Sequence, residues 1–410
     1  MDTEMRRRPS MSRRVVVGVL ALCGIAEAAL AIAVFASQGE SAPASTTALP
    51  LHPVASNFRP DDTTPLDCSD SRCFEQAFGN IAYRQGPKAA LALFDKRIEE
   101  TGDHQSCHRI AHAIGAASLA HYRGDVARTF AEGSASCFSG YYHGVLERSL
   151  ANVKSYKAAS LAKVARTLCA GLPRDEETWL ALNCLHGLGH GLMITTGYSL
   201  PLALDVCRRL VSEMDRTACK GGTFMENLST SYGVRSPWLR DDDPLYPCNA
   251  IARRDMLRCY EYVTSRILRV IDWDWERTAE ICSEVEKAWV DACFRSFGRD
   301  ASATARFDVE ETRAQCAVAR AYGGERSCID GAAIAMTGAY AGTEQSSVLC
   351  DTAPMKLRGH CWFAVGSVVR HFNGSDAERE ANCRTITSNA GHAAQCIRGT
   401  RVKTQRFLDA

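Results

Sequence analysis

WERTAEICSEVEKAWVDACFRSFG, residues 275–298, reads as one helical hairpin, with Cys282 on its first helix and Cys293 at the start of the second. Residues 309–338, VEETRAQCAVARAYGGERSCIDGAAIAMTG, repeat the plan with Cys316 and Cys328 and put Gly323-Gly324 in the turn. A small residue follows the second cysteine again and again, as in SCFSG, ACKGG, SCIDG, HCWFAVG and QCIRG. Such residues let two helices lie close, and a disulfide needs Cα atoms within roughly 7 Å. Alternating strand-like runs are few, and no Asn-Gly or Asp-Gly hairpin signal occurs.

Extended along the chain, the pattern becomes a ladder. Cys73, Cys107, Cys137, Cys184, Cys219, Cys259, Cys293, Cys328, Cys361 and Cys396 follow one another at gaps of 34, 30, 47, 35, 40, 34, 35, 33 and 35 residues. A period near 34 is what stacked two-helix repeats produce. Eight further cysteines each precede a ladder member by 5 to 15 residues. The spacing therefore predicts Cys68–Cys73, Cys169–Cys184, Cys207–Cys219, Cys248–Cys259, Cys282–Cys293, Cys316–Cys328, Cys350–Cys361 and Cys383–Cys396. Cys107 and Cys137 have no early partner. They either bridge neighbouring hairpins or serve as thiolate ligands, and oxidation outside the cell favours the bridge, Cys107–Cys137. The fold expected is all-α, a solenoid of about ten disulfide-stapled helical hairpins.

In period and plan the chain resembles the cysteine-rich Sel1-like and tetratricopeptide class of helical-repeat proteins, over about Cys169 to Cys396. The Trp/Leu-Gly/Tyr signature of tetratricopeptide repeats is missing, so the resemblance implies architecture alone: stacked hairpins with one disulfide each.

Nineteen cysteines in 410 residues point to an oxidising compartment. The N-terminus agrees with export. Arg6, Arg7, Arg8, Arg13 and Arg14 precede an apolar run from Val15 to Ala36 broken only by Glu27. That run is long enough for a transmembrane helix, which takes about 20 residues, and basic residues before it keep that end in the cytoplasm. The expected order is a basic tail at 1–14, an anchor or signal at 15–36 and a Ser/Ala/Pro/Thr-rich disordered tether at 37–64. Histidine-rich repeats follow at 65–200 and regular stapled repeats at 201–410. The protein is expected to be membrane-anchored with its bulk extracytoplasmic, periplasmic or at the cell surface; cleavage and secretion is the alternative. With 48 basic against 47 acidic residues, no nucleic-acid partner is expected.

Seven of the eleven histidines fall between His104 and His190. His108 and His112, His143 and Glu147, and His186 and His190 are each spaced i,i+4, on one helix face. Counted from the ladder cysteine they stand at +1/+5, +6/+10 and +2/+6, nearly one stripe across three adjacent second helices. Helix axes roughly 8–10 Å apart let opposing imidazoles close around one ion. Five imidazoles and one carboxylate suit copper, zinc or iron. Met225 and Glu226 occupy the equivalent stripe of the next repeat, Glu226 as a supporting residue and Met225 as a weak soft-ligand candidate. His104 and His121 lie off the stripe, as surface residues. There is no HExxH for a zincin and no CxxCH for c-type haem. Three readings are open: a metal-binding protein with redox or hydrolytic activity, a scaffold whose concave face takes a peptide or protein partner, and bis-His haem binding through His143 and His190.

Overall fold

Short capping motifs start the helices. Asp70 accepts hydrogen bonds from the backbone N–H groups of Arg72 and Cys73, Asp274 from that of Arg277, and Asp308 from that of Glu311. Ser375 and Glu378 form a reciprocal capping box. Each satisfies backbone donors that a helix start leaves without a partner. The computed structural model describes residues 58–402 apart from 102–106, 135, 152, 154, 174–177, 230–234, 340–341 and 373. Among the described residues the regular structure is nineteen α-helices and four short 3-10 turns, with no strand.

The helices run in chain order as α1 (Ser71–Gln85), α2 (Pro87–Thr101), α3 (Cys107–His121), α4 (Val126–Ala131), α5 (Ser136–Leu150), α6 (Ala158–Leu168), α7 (Trp179–Thr195), α8 (Leu200–Arg208) and α9 (Glu213–Leu228). Two short helices, α10 (Arg253–Tyr260) and α11 (Thr264–Val270), interrupt the alternation. It resumes with α12 (Trp275–Glu284), α13 (Val290–Thr304), α14 (Val309–Val318), α15 (Glu325–Ala339), α16 (Glu344–Thr352), α17 (Arg358–Val369), α18 (Asp376–Thr385) and α19 (Ala390–Thr400). The long odd-numbered helices pack on one another in sequence, α1 through α9 and then α13 through α19. The even-numbered ones, shorter apart from the 15-residue α2, flank them. Core side chains such as Phe294, Phe297 and Trp362 are fully buried, each contributing about 1.5–3 kcal/mol over exposure.

Nine disulfides staple this arrangement, with Cα–Cα distances of 5.2 to 5.9 Å: Cys68–Cys73, Cys107–Cys137, Cys169–Cys184, Cys207–Cys219, Cys248–Cys259, Cys282–Cys293, Cys316–Cys328, Cys350–Cys361 and Cys383–Cys396. Most tie a flanking helix, or the turn after it, to the next long helix. Cys107–Cys137 instead joins two long helices, α3 and α5. This density of disulfides marks an extracytoplasmic protein.

Residues 58–64, assigned above to the tether, lie against α1, with Phe58 buried and most of the others exposed. The Phe58 ring occupies the space a Cβ on Gly79 would take, 2.6 Å from the nearest ring atom. The Asn80 amide donates to Asp61 Oδ1 and to the Thr63 carbonyl. Besides the contacts between successive long helices, one contact joins parts of the chain far apart in sequence. The start of α7 meets the turn after α17: the Trp179 N–H donates to the His371 carbonyl at 3.0 Å, Thr178 Oγ1 lies 2.7 Å from His371 Nδ1, and the Trp179 and Phe372 rings meet edge-on at 4.9 Å. No helix among the described residues is long and apolar enough to cross a membrane. The anchor expected at 15–36 lies outside the described residues.

Candidate metal centre

Helices α3 and α5, and likewise α7 and α9, approach closely because facing positions lack side chains. A Cβ on Gly144 of α5 would stand 1.9 Å from the His112 carbonyl of α3. One on Gly222 of α9 would stand 1.8 Å from the His186 carbonyl of α7. No larger residue fits either contact, and the histidines beside these glycines are thereby drawn into one buried cluster. His112, His143 and His190 are 1 to 2 % exposed, while His108 and His186 are half-buried.

Two groups of three ring nitrogens result, His108/His112/His143 and His143/His186/His190, each within 4.8 Å, with His143 common to both. His108 Nε2 and His112 Nε2 are 3.0 Å apart, and His186 Nε2 and His190 Nε2 are 3.2 Å apart. Two nitrogens bound to one zinc at about 2.0–2.1 Å and a tetrahedral angle lie about 3.3 Å apart, so both spacings fit a shared ion.

The protons decide what the 3.0 Å contact is. His108 Nδ1 lies 2.8 Å from the Cys137 carbonyl, which can only accept, so this nitrogen carries the hydrogen. His112 Nδ1 lies 2.9 Å from Glu147 Oε1; the contact falls short of hydrogen-bond geometry, and it is the carboxylate's charge beside this nitrogen that favours the hydrogen on Nδ1. Burial, together with the neighbouring imidazole, pushes His108 down to about 4, and burial does the same for His112, so both are neutral near pH 7. Both Nε2 atoms then present lone pairs to each other, and two acceptors at 3.0 Å make no hydrogen bond. His190 is held likewise: its Nδ1 lies 2.8 Å from Glu226 Oε2, and Tyr198 donates its hydroxyl to Glu226 Oε1 at 2.9 Å. Burial first, then the competing imidazoles around them and, for His186, Arg299 and Arg258, lowers His143, His186 and His190 well below the ordinary histidine value. His143 Nδ1 is buried with no hydrogen-bond partner.

Glu147, expected above as a ligand, therefore stands behind His112 on the side away from Nε2. Both glutamates are fully buried and act as buttresses, the usual partners of metal-bound imidazoles. Met225 is half-buried one residue before Glu226, and neighbours on a helix point about 100° apart, so the two cannot face the same way. His121 is off the cluster, half-buried with its Nδ1 2.8 Å from the Tyr83 carbonyl. His104 lies outside the described residues. Tyr198 escapes a reading from spacing, since it sits in the turn after α7, away from the ladder register. Haem fits poorly: the His143 and His190 rings stack 4.1 Å apart at 20°, whereas axial ligands point at each other from opposite sides of a porphyrin.

No family model, curated protein or solved structure matches the chain.

Proposed function

We propose that this is an extracytoplasmic metal-binding protein that holds zinc or copper in its five-histidine cluster. The observation that carries this reading is the 3.0 Å approach of two imidazole nitrogens whose hydrogens are committed elsewhere. A divalent ion satisfies both lone pairs and offsets the buried carboxylates Glu147 and Glu226. The donor set is purely imidazole, which suits copper, zinc and iron. The glutamates fix the tautomers of His112 and His190 and raise their basicity, so the ligands are set before the ion arrives. A bound ion supplies Lewis-acid or redox chemistry, and the half-buried edges of His108 and His186 are where a small molecule reaches the cluster.

Elemental analysis of protein purified without chelator tests this. At least one transition-metal ion per chain is expected, lost in the double variant His112→Ala plus His190→Ala while far-ultraviolet circular dichroism is retained. Absence of stoichiometric metal in the wild type, even after incubation with zinc or copper, sinks the reading. So does a metal content unchanged by the double substitution.

A further inference from the structure

A cavity of about 300 Å³ opens between α10, α13, α15 and α17. Arg258, Arg295, Arg299 and Arg370 line it; Glu261 is the one carboxylate of the wall, with Asp300 against Arg299 and Asp330 near Arg295 behind it. Arg295 and Arg299 stand at +2 and +6 from Cys293, the positions His186 and His190 hold relative to Cys184. Ile334 and Ser367 of the wall are likewise +6 from Cys328 and Cys361. The cavity thus occupies the register of the histidine stripe, with guanidinium groups where α7 carries imidazoles.

Several of these arginines are held in place. Arg258 meets Glu261 at 2.6 Å, and Arg299 meets Asp300 at 2.6 Å while lying over the Tyr262 ring at 4.8 Å. Arg370 donates to the Val402 carbonyl, and burial together with Arg379 lowers its pKa. Four guanidinium groups against three carboxylates leave this partly enclosed space with an excess of positive charge, and their planar forks match carboxylate and phosphate oxygens. Tyr262, Ile334, Ala335 and Val368 supply an apolar wall. The volume sits at the small end of the roughly 300–1,000 Å³ of ligand pockets. Tyr262 also joins the cavity to the metal centre, its ring 6.1 Å from that of His186.

We propose that this cavity binds a small organic oxyanion, a carboxylate or phosphate monoester with a compact apolar body, beside His186. Its position next to a bound ion rests on the metal-binding reading; the anion site itself does not.

Calorimetry on the full chain, with benzoate, phenyl phosphate and neutral benzamide as probes, tests the proposal. One equivalent of at least one anion binds, benzamide binds at least tenfold more weakly, and the tighter anion identifies the headgroup. Ser367→Trp, which fills the cavity without changing charge, abolishes binding, and Arg295→Gln weakens it at least tenfold. Failure of both anions to bind, or binding unchanged in both variants, overturns the site. Metal content is measured on the same samples. Binding at least threefold tighter in zinc-loaded than in chelator-treated protein supports the position beside the ion, and equal affinity overturns that part. Anion binding in a chain that takes up no metal keeps the cavity and removes the metal reading.

Discussion

Helices α7 and α13 are built alike and used differently. Each carries a ladder cysteine tied to the segment before it, Cys184 to Cys169 and Cys293 to Cys282. Each lies against the next long helix through a glycine on a carbonyl: Gly222 on His186 in one case, Gly298 on Cys328 in the other. Yet +2 and +6 from the cysteine are His186 and His190 in α7 and Arg295 and Arg299 in α13. One stapled frame presents imidazoles in one region and guanidinium groups in the other. Frame and chemistry are therefore separable, and substitutions in the two regions should separate them.

The largest effect is expected from removing the frame from both. Reduction with dithiothreitol breaks nine cross-links, each typically worth about 2–4 kcal/mol, together more than the 5–15 kcal/mol that holds most domains folded. Cooperative thermal unfolding should vanish from scanning calorimetry, and a melting temperature unchanged on reduction would break the comparison at its root.

Next comes the residue that joins the two nitrogen groups. His143→Ala takes a donor from both, so metal content should fall further than in His108→Ala, which touches one. Elemental analysis decides; equal losses would mean that His143 is not shared. Below this lies the glycine pair. Gly144→Ala and Gly298→Ala each force a Cβ to within 1.9 Å of a carbonyl oxygen, and overpacking of this kind costs about 1–3 kcal/mol. Chemical denaturation should show similar destabilisation in both, with metal affinity reduced in Gly144→Ala alone. Glu226→Gln sharpens the contrast, because losing a carboxylate behind a metal-bound histidine typically weakens affinity about 10–100-fold.

The cysteine spacing was readable because each partner but one lies 5 to 15 residues away, on the next helix, where local geometry brings the thiols together. The histidine stripe was readable because i,i+4 pairs share a face and the cysteines supply a common register. The roles of the carboxylates were not: Glu147 has a ligand's spacing, and only the distance to His112 Nδ1 puts it behind the ring. The cavity was hidden for a different reason. Arginines at +2 and +6 on a helix are ordinary solvated residues until α10 and α17 close over them. Likewise the His371 contact joins residues 193 positions apart, a distance over which no periodicity carries.

That contact gives the smallest predicted effect and the one that links the two regions. Burial, then Arg370 and Arg379, pushes His371 down to about 3, from an unfolded value near 6.5. Between those values the unfolded chain binds the proton and the folded chain does not. His371 therefore costs no stability above pH 6.5, and stability is lost as pH falls from 6.5 toward 3. In chelator-treated protein, unfolding at pH 5 should take up about one proton fewer in His371→Gln than in the wild type, read as a shallower dependence of unfolding free energy on pH. An unchanged slope would mean that the contact between Thr178 and His371 opens before the rest of the molecule, leaving the imidazole region and the guanidinium region uncoupled at that end.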